Sequence, residues 1–215
     1  NQRKKYRNFK TNYNSSKILK CHFCGKNHKC RNCPIEKKIS PILRKKVGIT
    51  MENVIGNSFK CPCGGKLQVI GTHSPSRDLV CKKCNKFIEV KSKCLSVKNL
   101  PKDIYLNHGN YDKYIERCKD GSDFIVIIYE VDRRDKKITI RKVLYIDDET
   151  RKNTDIFEVF RRRDKNINKT RSSDLSTIKI KNKDHPSIKV WNINNNKKIL
   201  YFQRLVDELI ETYNK

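Results

Sequence analysis

Two kinds of reactive side chain crowd the stretch from Ser76 to Cys94. Cys81 and Cys84 have the spacing of half a tetrahedral metal site at a tight turn. Asp78 lies before this pair, and Glu89 and Lys91 lie after it. The flanking arms are rich in Val, Ile and Phe, as strands are. Alternation along the second arm puts Phe87, Glu89 and Lys91 on one face and Ile88 and Val90 on the other. Asn85 tolerates a left-handed backbone well, and a one-residue bulge there sets Asp78 opposite Glu89. Two carboxylates and a lysine then converge beside a pinned turn. Hard oxygen ligands of this kind suit Mg²⁺.

The other half of the thiolate site is Cys61-Pro62-Cys63, followed by Gly64 and Gly65. Cys61, Cys63, Cys81 and Cys84 supply four ligands across a strand and loop. With every position filled by protein, a zinc ion held there is structural and leaves no open site for water. A second cluster spans Cys21 to Cys33. Its ligand set is either Cys21, Cys24, His28 and Cys33 or Cys21, Cys24, Cys30 and Cys33, with His28 favoured. It resembles the CCHC zinc knuckle of retroviral nucleocapsid proteins through Cys24-Gly25-Lys26 and Arg31-Asn32-Cys33, but has one residue too few between Cys24 and His28. So short a loop cannot bury a core, so metal is the expected source of its order.

The elements that must position these groups follow from periodicity. Pro34 to about Asn57 has a helical pattern, with breaks expected at Pro41 and Gly48. Met51 and Ile55 face the core, and Glu52 lies beside them. Lys66 to Gly71 is a strand. Leu95 to Cys118 is expected to be loop plus helix. Phe124 to Val131 is a continuous apolar run, as in a buried central strand, and Lys137 to Ile146 alternates as its neighbour. Arg161, Arg162 and Arg163 suggest a basic loop. Ser176 to Lys181 and Ile188 to Ile193 suggest a late strand pair. Ile199, Phe202, Val206, Leu209, Ile210 and Tyr213 mark a terminal amphipathic helix.

Asp78 on one strand and Glu89-Val90-Lys91 on the next resemble the PD-(D/E)xK nuclease superfamily. The likeness covers about Ile35 to Val131; the proline of the motif is absent, since Arg77 precedes Asp78. The resemblance implies an α/β fold, a restriction-endonuclease-like mixed sheet flanked by helices, here with an inserted zinc ribbon at 61–84. It implies metal-dependent hydrolysis of DNA phosphodiesters. Asp78, Glu89 and the carbonyl of Val90 would hold one or two Mg²⁺, Lys91 would position water or stabilise the charged phosphorane, and Glu52 would complete the metal shell.

Composition bounds the partners. The 215 residues carry a net charge of +27, which calls for a polyanion, and nucleic acid, DNA first, fits best. No long apolar run or clear basic amphipathic helix suggests a membrane partner. Residues 1–20 hold Arg3, Lys4, Lys5, Arg7, Lys10, Lys17 and Lys20 and no acid, and form a flexible basic arm. The expected organisation is this arm, a knuckle at 21–34 and a nuclease-like domain at 35–215. Paired cysteines suit metal sites in a reducing intracellular compartment, namely cytoplasm, nucleus, viral factory or a packaged virion, better than a secreted disulfide framework. The lack of alanine amid abundant Lys, Asn and Ile suggests an AT-rich genome, such as that of a large DNA virus or a protist. The alternative reading is a non-catalytic zinc-containing nucleic-acid-binding protein, for transcription, packaging or genome coating.

Overall fold

A computed structural model describes residues 26, 34–70, 77–95, 100–118, 121–132, 137–162, 175–194, 199–201 and 211. The expected basic arm and the expected knuckle ligands Cys21, Cys24, His28, Cys30 and Cys33 lie outside the described residues.

The chain enters through helix α1 (Pro34–Ser58). Pro34 opens it, where a missing N–H costs nothing. Val47, Met51 and Ile55 recur every four residues on one side, and all three are buried. Complete burial of side chains this size contributes about 1.5–3 kcal/mol each. That anchors the helix through Pro41 and Gly48, and the expected breaks do not occur.

Short strands β1 (Leu67–Val69) and β2 (Leu79–Cys81) lead to β3 (Phe87–Cys94). β2 and β3 form an antiparallel hairpin, with Leu79 opposite Ile88 and Val80 opposite Phe87. β3 runs parallel to β5 (Asp123–Asp132), from Ile88 beside Asp123 to Cys94 beside Tyr129. β5 pairs antiparallel with β6 (Lys137–Ile146). β9 (Lys189–Trp191) and β10 (Ile199–Tyr201) both pair with β6. The result is a mixed seven-stranded sheet in the order β1-β2-β3-β5-β6-β10, with β9 also on β6.

A second, three-stranded sheet has the order β4 (Ile104–Asn110), β8 (Leu175–Ile180), β7 (Phe157–Arg162). Two short helices, α2 (Tyr111–Cys118) and α3 (Asp148–Lys152), complete the described elements. Alternation along β5 divides the core in two. Ile125, Ile127 and Tyr129 pack with Ile88, Val90 and the α1 residues. Phe124, Val126 and Ile128 pack with Ile104, Leu106, Ile178 and Ile180 of the smaller sheet. Among the described residues, α1 covers one face of the mixed sheet, and the smaller sheet with Tyr114 of α2 packs on the other, where a mixed sheet flanked by helices was expected. Among the described residues, no helix is long and apolar enough to cross a membrane.

The remaining differences arise from long-range pairing. The stretch expected as loop before α2 contains β4, because Ile104 and Leu106 find Ile180 and Ile178 across the ladder. Arg161 and Arg162 end a strand and do not sit in a loop. The expected late pair separates: β8 joins the small sheet and β9 the large one. Ile199 belongs to β10, so no helix begins there; most of the expected terminal helix lies outside the described residues.

Candidate active site and thiolate cluster

Two tight turns build the thiolate cluster. In the first, Cys61 N–H donates to the Gly65 carbonyl at 2.9 Å and Gly64 N–H to the Cys61 carbonyl at 2.7 Å. Gly64 has φ +81°, which suits glycine. In the second, Cys81 N–H donates to the Lys86 carbonyl and Asn85 N–H to the Cys81 carbonyl, both at 2.9 Å. Asn85 takes the left-handed φ of 56° that its side chain tolerates. The sulfurs of Cys61, Cys63, Cys81 and Cys84 all lie within 4.8 Å of one another. Cys63 and Cys81 are 3.4 Å apart, Cys61 and Cys84 3.7 Å. Four thiolates around one ion at ~2.3 Å would sit roughly 3.8 Å apart. The cluster can therefore hold a metal ion with little movement. Burial alone pushes the Cys81 thiol up, but the amides of Cys84 and Lys83 point at its sulfur, and it falls to about 6. Burial pushes the Cys61 thiol up instead. Cys81 is thus readier than Cys61 to bind as thiolate.

The same hairpin carries the charged groups. Asp78 precedes β2, and its N–H donates to the Ile88 carbonyl at 3.2 Å. Its carboxylate accepts the Val90 N–H at 2.7 Å. Both ends of Asp78 therefore hold β3, one step beyond the Leu79–Ile88 pair, beside Glu89. Glu89 is buried at 3% exposure. Its carboxylate pairs with the Lys91 ammonium at 2.8 Å. Lys91 also approaches the Val90 carbonyl, at 3.4 Å. Burial opposes the charge on Lys91, but Glu89, Asp78 and Glu52 outweigh it and hold the ammonium above its ordinary value. Lys91 is thus the counter-charge for three acids.

Glu52 arrives from α1. Burial raises its carboxyl, and the charge of Asp78 raises it further, while Lys91 pulls it down. The net shift is upward. Asp78, Glu89 and Lys91 touch or adjoin one another, and Glu52 lies close enough to feel both Asp78 and Lys91. Such a set can exchange the lysine counter-charge for a divalent cation.

A buried network next to the hairpin was missed by sequence reasoning. Asp123 is fully buried at the start of β5. It accepts from Lys86 at 3.0 Å, from the Asp148 N–H at 3.0 Å and from the Tyr145 hydroxyl. Lys86 lies between the Cys81–Cys84 turn and β3, so this ion pair ties the cysteine turn to the central strand. The one sequence signal was an acid opening an apolar run. Tyr145 in turn stacks on Trp191 at 4.9 Å, and Trp191 on Phe59 at 4.7 Å. Arg77, next to Asp78, lies 4.1 Å over the Phe87 ring.

No curated protein matches the chain. The sequence model of the DpnI (Dam-replacing) family matches residues 35–200, well over half of the chain, and takes in α1, the thiolate hairpin and both sheets. The chain belongs to the DpnI (Dam-replacing) family, a family of restriction-endonuclease-like nucleases.

Proposed function

We propose that this protein is a divalent-metal-dependent DNA endonuclease of the PD-(D/E)xK type, with DNA modification governing which sites it cuts. One observation carries the reading. The Asp78 carboxylate on the Val90 N–H and the Glu89–Lys91 ion pair gather two acids, a carbonyl and an ammonium on a single hairpin. Family membership supports DNA as the substrate and modification as the cue.

Asp78, Glu89 and the Val90 carbonyl would hold Mg²⁺, and Glu52 would complete the shell. The bound ion would polarise phosphate and lower the pKa of a water. The Val90 N–H fixes the rotamer of Asp78 before substrate arrives. Glu89 sits in a buried socket that keeps its carboxylate pointed at Lys91. Lys91, held protonated, presents positive charge where a phosphorane would carry its extra negative charge. Burial and the nearby charge of Asp78 together raise the Glu52 carboxyl, more than Lys91 lowers it, so a bound cation would favour its charged form. The Cys61, Cys63, Cys81 and Cys84 cluster would hold a structural zinc, and the Cys21, Cys24, His28 and Cys33 knuckle a second. The hairpin zinc would stiffen the turn from which Asp78 and Glu89 diverge.

The test compares base-modified and unmodified plasmid, incubated with Mg²⁺ and without it. Cleavage of the modified form that needs Mg²⁺ and is lost in Asp78→Ala supports the reading. Uncut plasmid of every form, with DNA still bound, supports the non-catalytic alternative.

A further inference from the structure

The outer face of the small sheet carries side chains the nuclease reading leaves unused. Alternation sends Ile104, Leu106, Phe157, Ile178 and Ile180 inward. The residues between them face solvent. Tyr105 is 49% exposed and Phe160 39%. The ladder sets Tyr105 beside Lys179, and Thr177 beside both Asn107 and Phe160. Two strand spacings across and two residues along put the aromatic positions about 12 Å apart. That leaves room for one nucleotide between two stacked bases. The Lys179 ammonium lies 5.6 Å from the Tyr105 ring centroid.

Charge and area choose the occupant. Lys179 pairs with Asp103 at 3.1 Å and Lys181 with Glu158 at 2.8 Å, so the face itself is nearly neutral. The chain as a whole carries +27, a charge that attracts polyanions. Two aromatic rings separated by amide and hydroxyl groups offer far less apolar area than the ~800 Å² per partner of a stable protein interface. A flat sheet with exposed aromatics, neighbouring amines and polar groups between them suits unpaired bases, since every base has a face to stack. Trp191 is unsuited to this role, because Phe59 and Tyr145 already cover its faces.

We propose that the outer face of β4-β8-β7 is a stacking platform for single-stranded nucleic acid, with Tyr105 and Phe160 each taking a base. It is separate from the hairpin that carries Asp78, Glu89 and Lys91, and its test does not depend on cleavage. The full chain is titrated, without added divalent metal, into a fluorescein-labelled oligothymidylate and into a labelled duplex of equal length, and anisotropy is read. Tyr105→Ala with Phe160→Ala should weaken single-strand binding about tenfold or more. The duplex affinity should hold, and so should the salt dependence of single-strand binding, because no cation is removed. Tyr105→Phe with Phe160→Tyr should bind like the wild type, and Tyr105→Leu with Phe160→Leu should not. Photocrosslinking of an iodouracil oligonucleotide should label the peptides holding Tyr105 or Phe160. Unchanged single-strand affinity in the alanine variant overturns the proposal. So do crosslinks confined to other peptides, full binding by the leucine variant, or a wild-type dimer that the alanine variant abolishes.

Discussion

An alanine at position 65 should empty the thiolate cluster, while an alanine at its neighbour 64 should not. A Cβ on Gly65 would lie 2.5 Å from the Cys81 sulfur, 2.6 Å from the Lys83 Cβ and 3.2 Å from the Lys83 backbone nitrogen. Comfortable contacts between such atoms start near ~3.5 Å, so sulfur and turn must yield by roughly 1 Å. Metal–ligand distances tolerate only about 0.2 Å. Overpacking of this kind costs about 1–3 kcal/mol before any metal is lost. At about 3 °C per kcal/mol for a chain of this length, melting should fall several degrees. Gly64 is the control. Its φ of +81° costs alanine about 1–2 kcal/mol, partly offset by the ~0.4–1 kcal/mol gained from a stiffer unfolded chain. Its Cβ would meet nothing within 4 Å, so the ligands stay in place. Zinc released by a mercurial and read with a colorimetric chelator, beside a thermal melt, separates the two. Gly65→Ala with wild-type metal content and melting temperature would refute the reasoning.

Two further perturbations address the charges around the hairpin. Lys86→Met leaves the buried Asp123 with neutral donors only; because the Lys86 side chain is 40% exposed, the loss should be about 1–2 kcal/mol, read by urea unfolding. Burial opposes the Lys86 charge, but Asp123 outweighs it and raises the pKa. Its contribution is therefore complete below about pH 10 and fades as pH rises through the folded value, so wild type and variant should converge only there; equal stability at pH 7 would contradict the pairing. Glu52→Gln should stabilise the protein at pH 7 in buffer without magnesium. The raised carboxyl makes the wild type lose stability as pH climbs past about 4, through the folded value, and glutamine escapes that loss. A glutamine variant that melts lower at pH 7 would show that burial and Asp78 do not raise the Glu52 carboxyl.

The parts of the fold readable from sequence are those fixed by local pattern. The apolar run from Phe124 to Val131 fits a buried central strand, and β5 is that strand. The hairpin was legible for the same reason: a tight turn between Cys81 and Lys86 fixes which residue of β2 meets which of β3. β4 was hidden, because Tyr105 and Asn107 alternate with the buried Ile104 and Leu106 over only a few residues, and its partner β8 lies far along the chain. Neighbouring segments could not reveal that β8 and β9 go to different sheets. In the site, Asp78, Glu89 and Lys91 were visible as a short-range motif. The approach of Glu52 depends on how α1 docks, and the Lys86–Asp123 pair joins separate elements with only one unexpected acid as its signal.

The central claim is that Asp78, Glu89 and Lys91 work on DNA as one metal-assisted unit. Plasmid nicking with Mg²⁺, run beside a DNA-binding titration, tests it most directly. Asp78→Ala, Glu89→Ala and Lys91→Ala should each reduce cleavage at least about a hundredfold. Binding should persist, because it draws on 50 lysines and arginines spread over the chain. Lys91→Ala should retain Mg²⁺, and the two acid variants should lose it. Wild-type cleavage surviving in all three variants would contradict the account.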